Sequence, residues 1–341
     1  MANIIDVAEK ADVSITTVSH VINKTRYVSK ELTERVKKAM EELDYQPNSL
    51  ARGLRSGKTR TIGLIIPDIS NQYFAEISRK VEDNGFVHGY SVILCNSDDD
   101  YLKERNYLDV LIAKQVDGIV FISAGENSEN LEKAQSSHIP TVVVDRDIKN
   151  INSDVVMVDN RRGGYIATEY LVSLGHRKIA CITGPSLTNP SAERIEGYKQ
   201  ALSNGGIKIN QNYIRVGDYR FTSGEKAMRE LLMLEQPPTA VFTCNDMMAL
   251  GAYRAINDIG LKIPDDISII GFDNIPFSQA VYPNLTTIQQ PIQKIAQLVI
   301  EMLIEKIKLK NRRSEERSEK PEYNRIYLDT ELIIRNSCKE I

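Results

Sequence analysis

The chain of 341 residues is predicted to be an α/β protein, with an all-α helix-turn-helix headpiece and two lobes that are each a doubly wound parallel sheet. Three observations carry this expectation. The first sixty residues place apolar side chains at three- and four-residue spacings, the mark of short amphipathic helices. After Lys58 the pattern changes to Val- and Ile-rich runs alternating with amphipathic helices, as strands covered on both faces require. That alternation runs through the chain twice, and the length exceeds what one small core needs. The boundaries expected are a headpiece at 1–47, a hinge and linker at 48–60, and a body at 61–341. Within the body, lobe one is expected at 61–159 and 291–322, and lobe two at 160–288 and 325–341.

In Ile4 to Ala11, residues Ile5, Val7, Ala8 and Ala11 form one apolar stripe on a helix of about two turns. A tight turn follows at Ala11-Asp12-Val13. Ser14 offers its side-chain oxygen as an N-cap to a second helix, in which Val18, Val21 and Ile22 face inward and Ile15, Thr16, Ser19 and His20 face outward. Two short helices so joined can place the second in a DNA major groove, although helical hairpins also occur without DNA. Ser29 caps a third helix whose Leu32, Val36, Met40 and Leu43 close the small core, and Pro47 is expected to end it. Residues 1–60 hold eleven Lys and Arg against eight Asp and Glu, a net of +3 in a chain whose total is −3. The modest basic end therefore points toward phosphate.

No apolar signal region follows Met1 and no run approaches the ~20 residues of a membrane span, so a cytoplasmic protein with no membrane contact is expected. Cys95, Cys181, Cys244 and Cys338 are scattered without a C-x-x-C pair, which argues against disulfides and zinc. The chain has no P-loop, no G-x-S-x-G and no H-E-x-x-H, and His20, His88, His138 and His176 are dispersed. No enzyme, no catalytic residues, no metal and no cofactor are expected. Asp98-Asp99-Asp100 reads as a solvated acidic loop.

In the body, strands are expected at 62–66, 91–95, 118–122, 141–144 and 155–158, with helices near 73–84, 101–114 and 130–135. The second series comprises helix 164–173, strand 179–183, helix 192–203, strand 214–216, helix 224–234, strand 240–243, helix 247–259 and strand 268–270. A helix from Ile292 to about Lys308 and one closing strand, Ile326–Ile334, complete it. The charged stretch 311–324 reads as a solvated insertion.

Ligands of doubly wound sheets sit off the carboxyl ends of the strands. Polar and aromatic residues occupy those positions here: Asn71, Tyr73 and Phe74 after the first strand, Asp145 and Arg146 after the fourth, then Arg194, Tyr219, Asn245, Asp273 and Gln290. Aspartate and arginine can hold pairs of vicinal hydroxyls, and aromatic rings can lie on the C–H faces of a sugar. Each residue also has a plain alternative, Asn245 and Asp273 as cap or turn formers and Asp145-Arg146 as a surface ion pair.

The stretch VSITTVSHVINKTRYVS and the segment Ser49 to Arg55 resemble the DNA-binding headpiece of the lactose and galactose repressor family, nearest its purine and ribose repressor branch. The resemblance implies that 49–55 is a hinge helix whose Leu54 wedges into the minor groove. It implies a DNA-contact set of Ser14, Ile15, Thr16, Thr17, His20, Asn23, Arg26 and Leu54, on a palindromic double-stranded operator. It also implies lobes of the periplasmic-binding-protein type, crossed three times by the chain: near Asp159–Arg161, near Thr287–Gln290, and in or just after the loop before Ile326.

The ten cleft residues resemble the site of ribose-binding proteins, with tyrosine at 73 and 219 where phenylalanine is usual. The function so implied is a transcriptional regulator of a sugar-utilisation operon, a repressor, controlled by a small sugar such as ribose. Purine repressors carry an aromatic where Arg146 stands, so a purine-dependent repressor is the alternative, and a sugar-binding transport receptor a more distant one. Nothing resembling a heptad-repeat tail follows Ile334, and a homodimer is expected.

Overall fold

The computed structural model describes residues 2–23, 26–46, 58–122, 129–145, 153–185, 189–310 and 323–341. Leu54, Arg146, Pro47 and the stretch 311–322 lie outside them. The chain forms two compact units, Met1–Thr59 and Arg60–Ile341.

The first unit holds helices α1 (Ile4–Ala11), α2 (Ile15–Asn23) and α3 (Lys30–Glu42). Asn3 and Asp6 form a capping box at the start of α1, and Asp12 ends it in the left-handed conformation at φ 49°. Val7, Ala8, Ala11, Val18, Val36 and Ala39 make the core, with Met40, Leu43 and Tyr45 against it. α3 ends at Glu42, earlier than the proline at 47 suggests. Asp44 takes φ 45°, the Tyr45 amide donates to the Met40 carbonyl at 2.9 Å and the Asp44 amide to the Glu41 carbonyl at 3.1 Å. That is a Schellman closure with an aspartate in the place usual for glycine, and Tyr45 folds back onto the core.

In the second unit, one sheet runs in the order β11-β5-β4-β3-β1-β2, with strands β1 (Thr61–Ile66), β2 (Ser91–Asn96), β3 (Gly118–Phe121), β4 (Thr141–Val144), β5 (Asp154–Val158) and β11 (Arg325–Leu328). Successive residues of β1 point to opposite layers: Ile62, Leu64 and Ile66 into one core and Ile65 into the other. The first layer is filled by α4 (Gln72–Val87) and α11 (Ile292–Lys310), the latter burying Ile295, Val299, Ile300 and Leu303. Each such side chain contributes about 1.5–3 kcal/mol when fully buried. α5 (Tyr101–Ala113) and α6 (Glu129–Ser136) cover the other layer.

The second sheet runs β12-β10-β9-β8-β6-β7, with β6 (Ile179–Thr183), β7 (Ile214–Val216), β8 (Ala240–Thr243), β9 (Ser268–Asp273), β10 (Thr286–Gln289) and β12 (Glu331–Ile333). Its helices are α7 (Asn160–Ser173), α8 (Asn189–Asn204), α9 (Phe221–Leu232) and α10 (Asp246–Asp258). All strand pairings in both sheets are parallel except β10 with β12.

The expected end of the chain is corrected by this topology. The stretch expected as one closing strand of lobe two is two strands in different sheets: β11 pairs with β5 of lobe one, and β12 with β10 of lobe two. The third crossing therefore falls at Asp329–Thr330, after β11 and not before it, and 325–328 belong to lobe one. The cause is local: Leu328 packs into the lobe-one core, and its carbonyl accepts the Asp159 amide at 2.9 Å. The second crossing, expected near Thr287–Gln290, lies at Gln290-Pro291, directly after the hydrogen-bonded strand β10 of lobe two.

Candidate functional site

In the headpiece, Ser14 Oγ accepts the Thr17 amide at 3.1 Å and shares a 2.9 Å hydrogen bond with the Thr17 hydroxyl, so both residues are engaged in starting α2. Ile15 is 47% exposed, Thr16 is exposed and His20 is partly covered, which leaves this face of α2 outside the core. Asn23 is exposed but folds its amide back to the Ser19 carbonyl at 2.9 Å, and Arg26 is exposed beyond the helix. Arg35 was not foreseen. From α3 it donates to the Ala11 carbonyl at 2.6 Å and the Asp12 carbonyl at 3.2 Å, fixing the turn that aims α2.

In the body, the candidate residues that fall within the described segments gather at the carboxyl ends of the two sheets. Lobe two supplies a connected polar lattice. Arg194, 3% exposed, donates through Nε to Asn160 Oδ1 at 2.8 Å and through a terminal nitrogen to the Cys244 carbonyl at 2.6 Å. Its guanidinium carbon lies 3.7 Å from the centre of the Phe272 ring, and Asp273 Oδ1 stands 3.9 Å from its terminal nitrogen. Burial works against the charge of Arg194, but Tyr219, Asp273 and Asp145 outweigh it and raise its pKa.

Close approach of α7 and α8 makes this placement possible, since a Cβ on Gly164 would stand 2.2 Å from the Arg194 carbonyl oxygen. On the neighbouring loop Tyr219, at φ 68°, lays its ring where a Cβ on Gly184 would be, 2.1 Å away.

Asn245 caps α10, accepting the Met248 amide at 2.9 Å, and its nitrogen donates to the Tyr219 carbonyl at 2.9 Å. Both ends of that amide thus serve lobe two itself. Asp273, the last residue of β9, accepts from Gln290 Nε2 at 2.8 Å. Burial raises its pKa to about 7, against the opposing pull of Arg194 and Gln290. Beneath it Asp246, also unforeseen, is fully buried and accepts from the Thr287 hydroxyl at 2.6 Å and the Ile275 amide at 2.9 Å. Burial, reinforced by Asp273, pushes its pKa well up.

Lobe one contributes differently. Asn71 caps α4 by accepting the Tyr73 amide at 3.1 Å. Tyr73 and Phe74 meet edge to face with ring centres 5.1 Å apart. The Tyr73 hydroxyl is buried and, among the described residues, has no hydrogen-bond partner. Burial raises its pKa, and the nearby carboxylates of Asp145 in lobe one and Asp273 in lobe two raise it further. Gln290 Oε1, on the second crossing, is likewise buried without a partner among the described residues. Asp145 directly follows β4 at φ 61°, with its amide on the Val156 carbonyl at 3.0 Å.

Sequence reasoning missed the contacts that join the lobes directly. Arg220 of lobe two reaches Asp68 of lobe one, Nε to Oδ2 3.2 Å, and stands 3.7 Å from Asp99. The Phe277 amide of lobe two approaches Gln72 Oε1 of lobe one at 3.4 Å. The acidic triplet at 98–100 is accordingly more than solvation: Asp100 caps α5, Asp98 pairs with Lys103, and Asp99 faces Arg220. No sequence signal marks Arg220, because its partner lies 152 positions away.

Among the described residues no group of three or more His, Cys, Asp or Glu could hold a metal ion, and no helix is long and apolar enough to cross a membrane.

Residues 59–330 match the family of periplasmic binding proteins and sugar binding domains of the LacI family, and residues 3–48 match the lacI family of bacterial regulatory proteins. The chain is 41% identical over 340 residues to the HTH-type transcriptional repressor PurR of Pasteurella multocida, covering 99% of each. It is equally 41% identical, over 301 residues, to the ribose operon repressor of Escherichia coli K12, covering 88% of this chain and 91% of that one. Among solved structures, the lac repressor dimer bound to operator and the anti-inducer ONPF matches with a TM-score of 0.86 at 26% identity over 99% of both chains. The chain belongs to the lacI family of bacterial regulatory proteins, the DNA-binding transcriptional repressors in which a helix-turn-helix headpiece precedes a two-lobed ligand-binding body.

Proposed function

We propose that this repressor is a cytoplasmic homodimer that grips a palindromic operator with two headpieces and is controlled by a small sugar, ribose, held between the lobes of the body. The observation that carries the sugar is the pair of buried oxygens without a partner among the described residues, Tyr73 OH and Gln290 Oε1, set among Asp145, Arg194 and Asp273. A hydroxyl that can donate, an amide oxygen that can accept and charged groups from both lobes suit a ligand with several hydroxyls. Asn71, Phe74, Arg146, Tyr219 and Asn245 complete the proposed site, Asn71 and Asn245 mainly by holding neighbouring backbone in place. A ligand acts only through its different affinity for the two lobe arrangements, and residues 48–60, Leu54 included, are the proposed link to the headpiece.

A purine corepressor is the second reading, favoured by the full-length similarity to the PurR relative. Isothermal titration of the whole protein with ribose, other pentoses, hexoses, hypoxanthine and guanine, with and without operator DNA, separates the two. Ribose is expected to give the tightest binding; heat from a purine and from no sugar would overturn the ribose reading.

On the DNA side, Ile15, Thr16 and His20 are proposed to face base edges, Ile15 against a thymine methyl, with Ser14, Thr17, Asn23 and Arg26 nearer the backbone. His20→Ala is expected to cost about 1–3 kcal/mol on the preferred operator and to relax one position in each half-site. Selection on randomised operators reads this directly, and identical preferences for both proteins would remove His20 from the role.

A further inference from the structure

The two sheets place all three crossings at one edge of the body and leave the other edge to side chains. β5 and β11 stand together at one end of the first sheet, and β10 and β12 together at one end of the second; the chain crosses immediately after β5, β10 and β11. The opposite edges are β2 and β7. Asp99 follows β2, Asp68 follows the adjacent β1, and Arg220 follows β7 by four residues. The Arg220–Asp68 ion pair, with Asp99 beside it, therefore bridges the lobes at the mouth of the cleft, on the edge away from the crossings. When two lobes rotate about crossings on one edge, the opposite edge travels furthest, so this contact changes most between open and closed forms.

The bridge is built from prepared parts. Asp68 directs Oδ1 into its own loop, accepting the Ser70 amide at 2.9 Å and the Ser70 hydroxyl at 2.5 Å, which leaves Oδ2 to Arg220. The Asp68 side chain is only 13% exposed, and Asn96 Oδ1 holds the following Ile69 amide at 2.7 Å. On the other side the Arg220 amide donates to Asp218 Oδ1 at 2.9 Å, and no side-chain cap at Arg220 starts α9. The side chain is thus not needed to cap its own helix; its guanidinium stands 4.0 Å from Asp218 Oδ2 of its own lobe and makes its shorter contacts across the cleft. It directly follows Tyr219, the aromatic that lobe two offers to the proposed ligand.

We propose that Arg220 is a specificity-determining clasp: by bridging to Asp68 and Asp99 it closes the mouth over an unsubstituted monosaccharide and rejects sugars whose substituent must leave by that edge. This rests on the sugar reading above and narrows its ligand class to free monosaccharides. A ring with only hydroxyls leaves the bridge intact, whereas a glycoside whose substituent points to that edge has to break it.

Two measurements on the whole chain separate the clasp from the sugar reading. Hydrogen exchange of ligand-free protein follows residues 67–72 of lobe one and 218–222 of lobe two. Arg220→Ala is expected to speed exchange in both segments, high salt to do the same to the wild type, and Arg220→Lys to fall between. Titration calorimetry then compares D-ribose with methyl β-D-ribofuranoside. The wild type is expected to prefer free ribose at least tenfold, and Arg220→Ala to bring the two within threefold, chiefly by gaining affinity for the glycoside. An unchanged preference, or faster exchange confined to lobe two, overturns the clasp. A wild type silent to every monosaccharide, with exchange still loosened on both sides in Arg220→Ala, overturns the sugar reading and the size limit together and leaves the bridge between the lobes supported.

Discussion

The two lobes share one fold and prepare their halves of the cleft in opposite ways. In lobe two the polar groups already hold each other: Arg194 is tied to Asn160 and the Cys244 carbonyl, Asn245 to Tyr219 and Met248, Asp273 to Gln290. In lobe one Tyr73 and Phe74 pack as an aromatic pair, and the buried Tyr73 hydroxyl has no partner among the described residues. A lattice whose members, Gln290 Oε1 apart, already hold each other before the ligand arrives loses little entropy on binding, while an unsatisfied buried hydroxyl stores a desolvation cost that a ligand can relieve. Lobe two is thus suited to receive the ligand and lobe one to close on it. Variants in lobe two should therefore cost both stability and affinity, and the Tyr73 hydroxyl should trade one against the other.

Arg194→Ala is expected to have the largest effect. It removes two hydrogen bonds, uncovers the Phe272 face, and leaves Asp273 buried without its nearest cation. Breaking a buried charged pair typically costs about 3–5 kcal/mol. The lower end applies, because a carboxyl whose pKa is already about 7 can take a proton instead of remaining an uncompensated anion. Thermal unfolding should show the loss, and ribose affinity should fall at least about a hundredfold, near 2.7 kcal/mol. Wild-type stability in this variant would mean that the lattice is not what holds lobe two together.

Asp273→Asn comes next and adds a pH signature. The pKa of Asp273 is raised from 3.8 to about 7, so the folded state holds the proton more tightly than the unfolded chain. That contribution to stability is fully present below pH 3.8 and is lost as pH rises through 7. The asparagine variant should lack this part of the decline between about pH 4 and 7. Its ribose affinity should drop about tenfold at pH 8, where the wild type presents a carboxylate, and less at pH 6. Titrations at the two pH values check this, and parallel losses at both would assign the effect to shape.

How much of this was legible in the chain follows from the range of each interaction. Strands such as Thr141–Val144 and Ile179–Thr183 were read at their true ends because continuous β-branched runs bury on both faces. The placement of the candidate residues off the strand ends was readable because the strands themselves were, whichever side chains follow them. The end of α3 was misplaced because a left-handed Asp44 does the work that the later Pro47 advertised. The closing strand was misassigned because an apolar run does not say which sheet it joins; Leu328 and Leu332 differ only in their neighbours. Arg35, Asn160, Asp246 and Arg220 were invisible for a related reason, since each acts through partners many positions away.

Tyr73→Phe is expected to have the smallest effect and the most telling sign. The substitution deletes only a hydroxyl that lacks a partner among the described residues and whose proton is kept on by burial, reinforced by Asp145 and Asp273. An unsatisfied buried polar group costs about 1–3 kcal/mol, so its removal should leave the ligand-free protein as stable as the wild type or more stable by up to about 1 kcal/mol. Its donor is the part of lobe one free to reach a ligand oxygen. Losing that bond should weaken ribose binding by about three- to tenfold, the value of one hydrogen bond of about 0.5–1.5 kcal/mol. Denaturant unfolding without ligand and calorimetry with ribose read the two halves separately. Opposite signs, stability kept or raised and affinity lowered, are what distinguish a hydroxyl held for a ligand from one that belongs to the core. A variant that loses stability and binds ribose as the wild type does would place Tyr73 among the packing residues and leave Asn71, Phe74, Asp145 and Arg146 as the proposed share of lobe one.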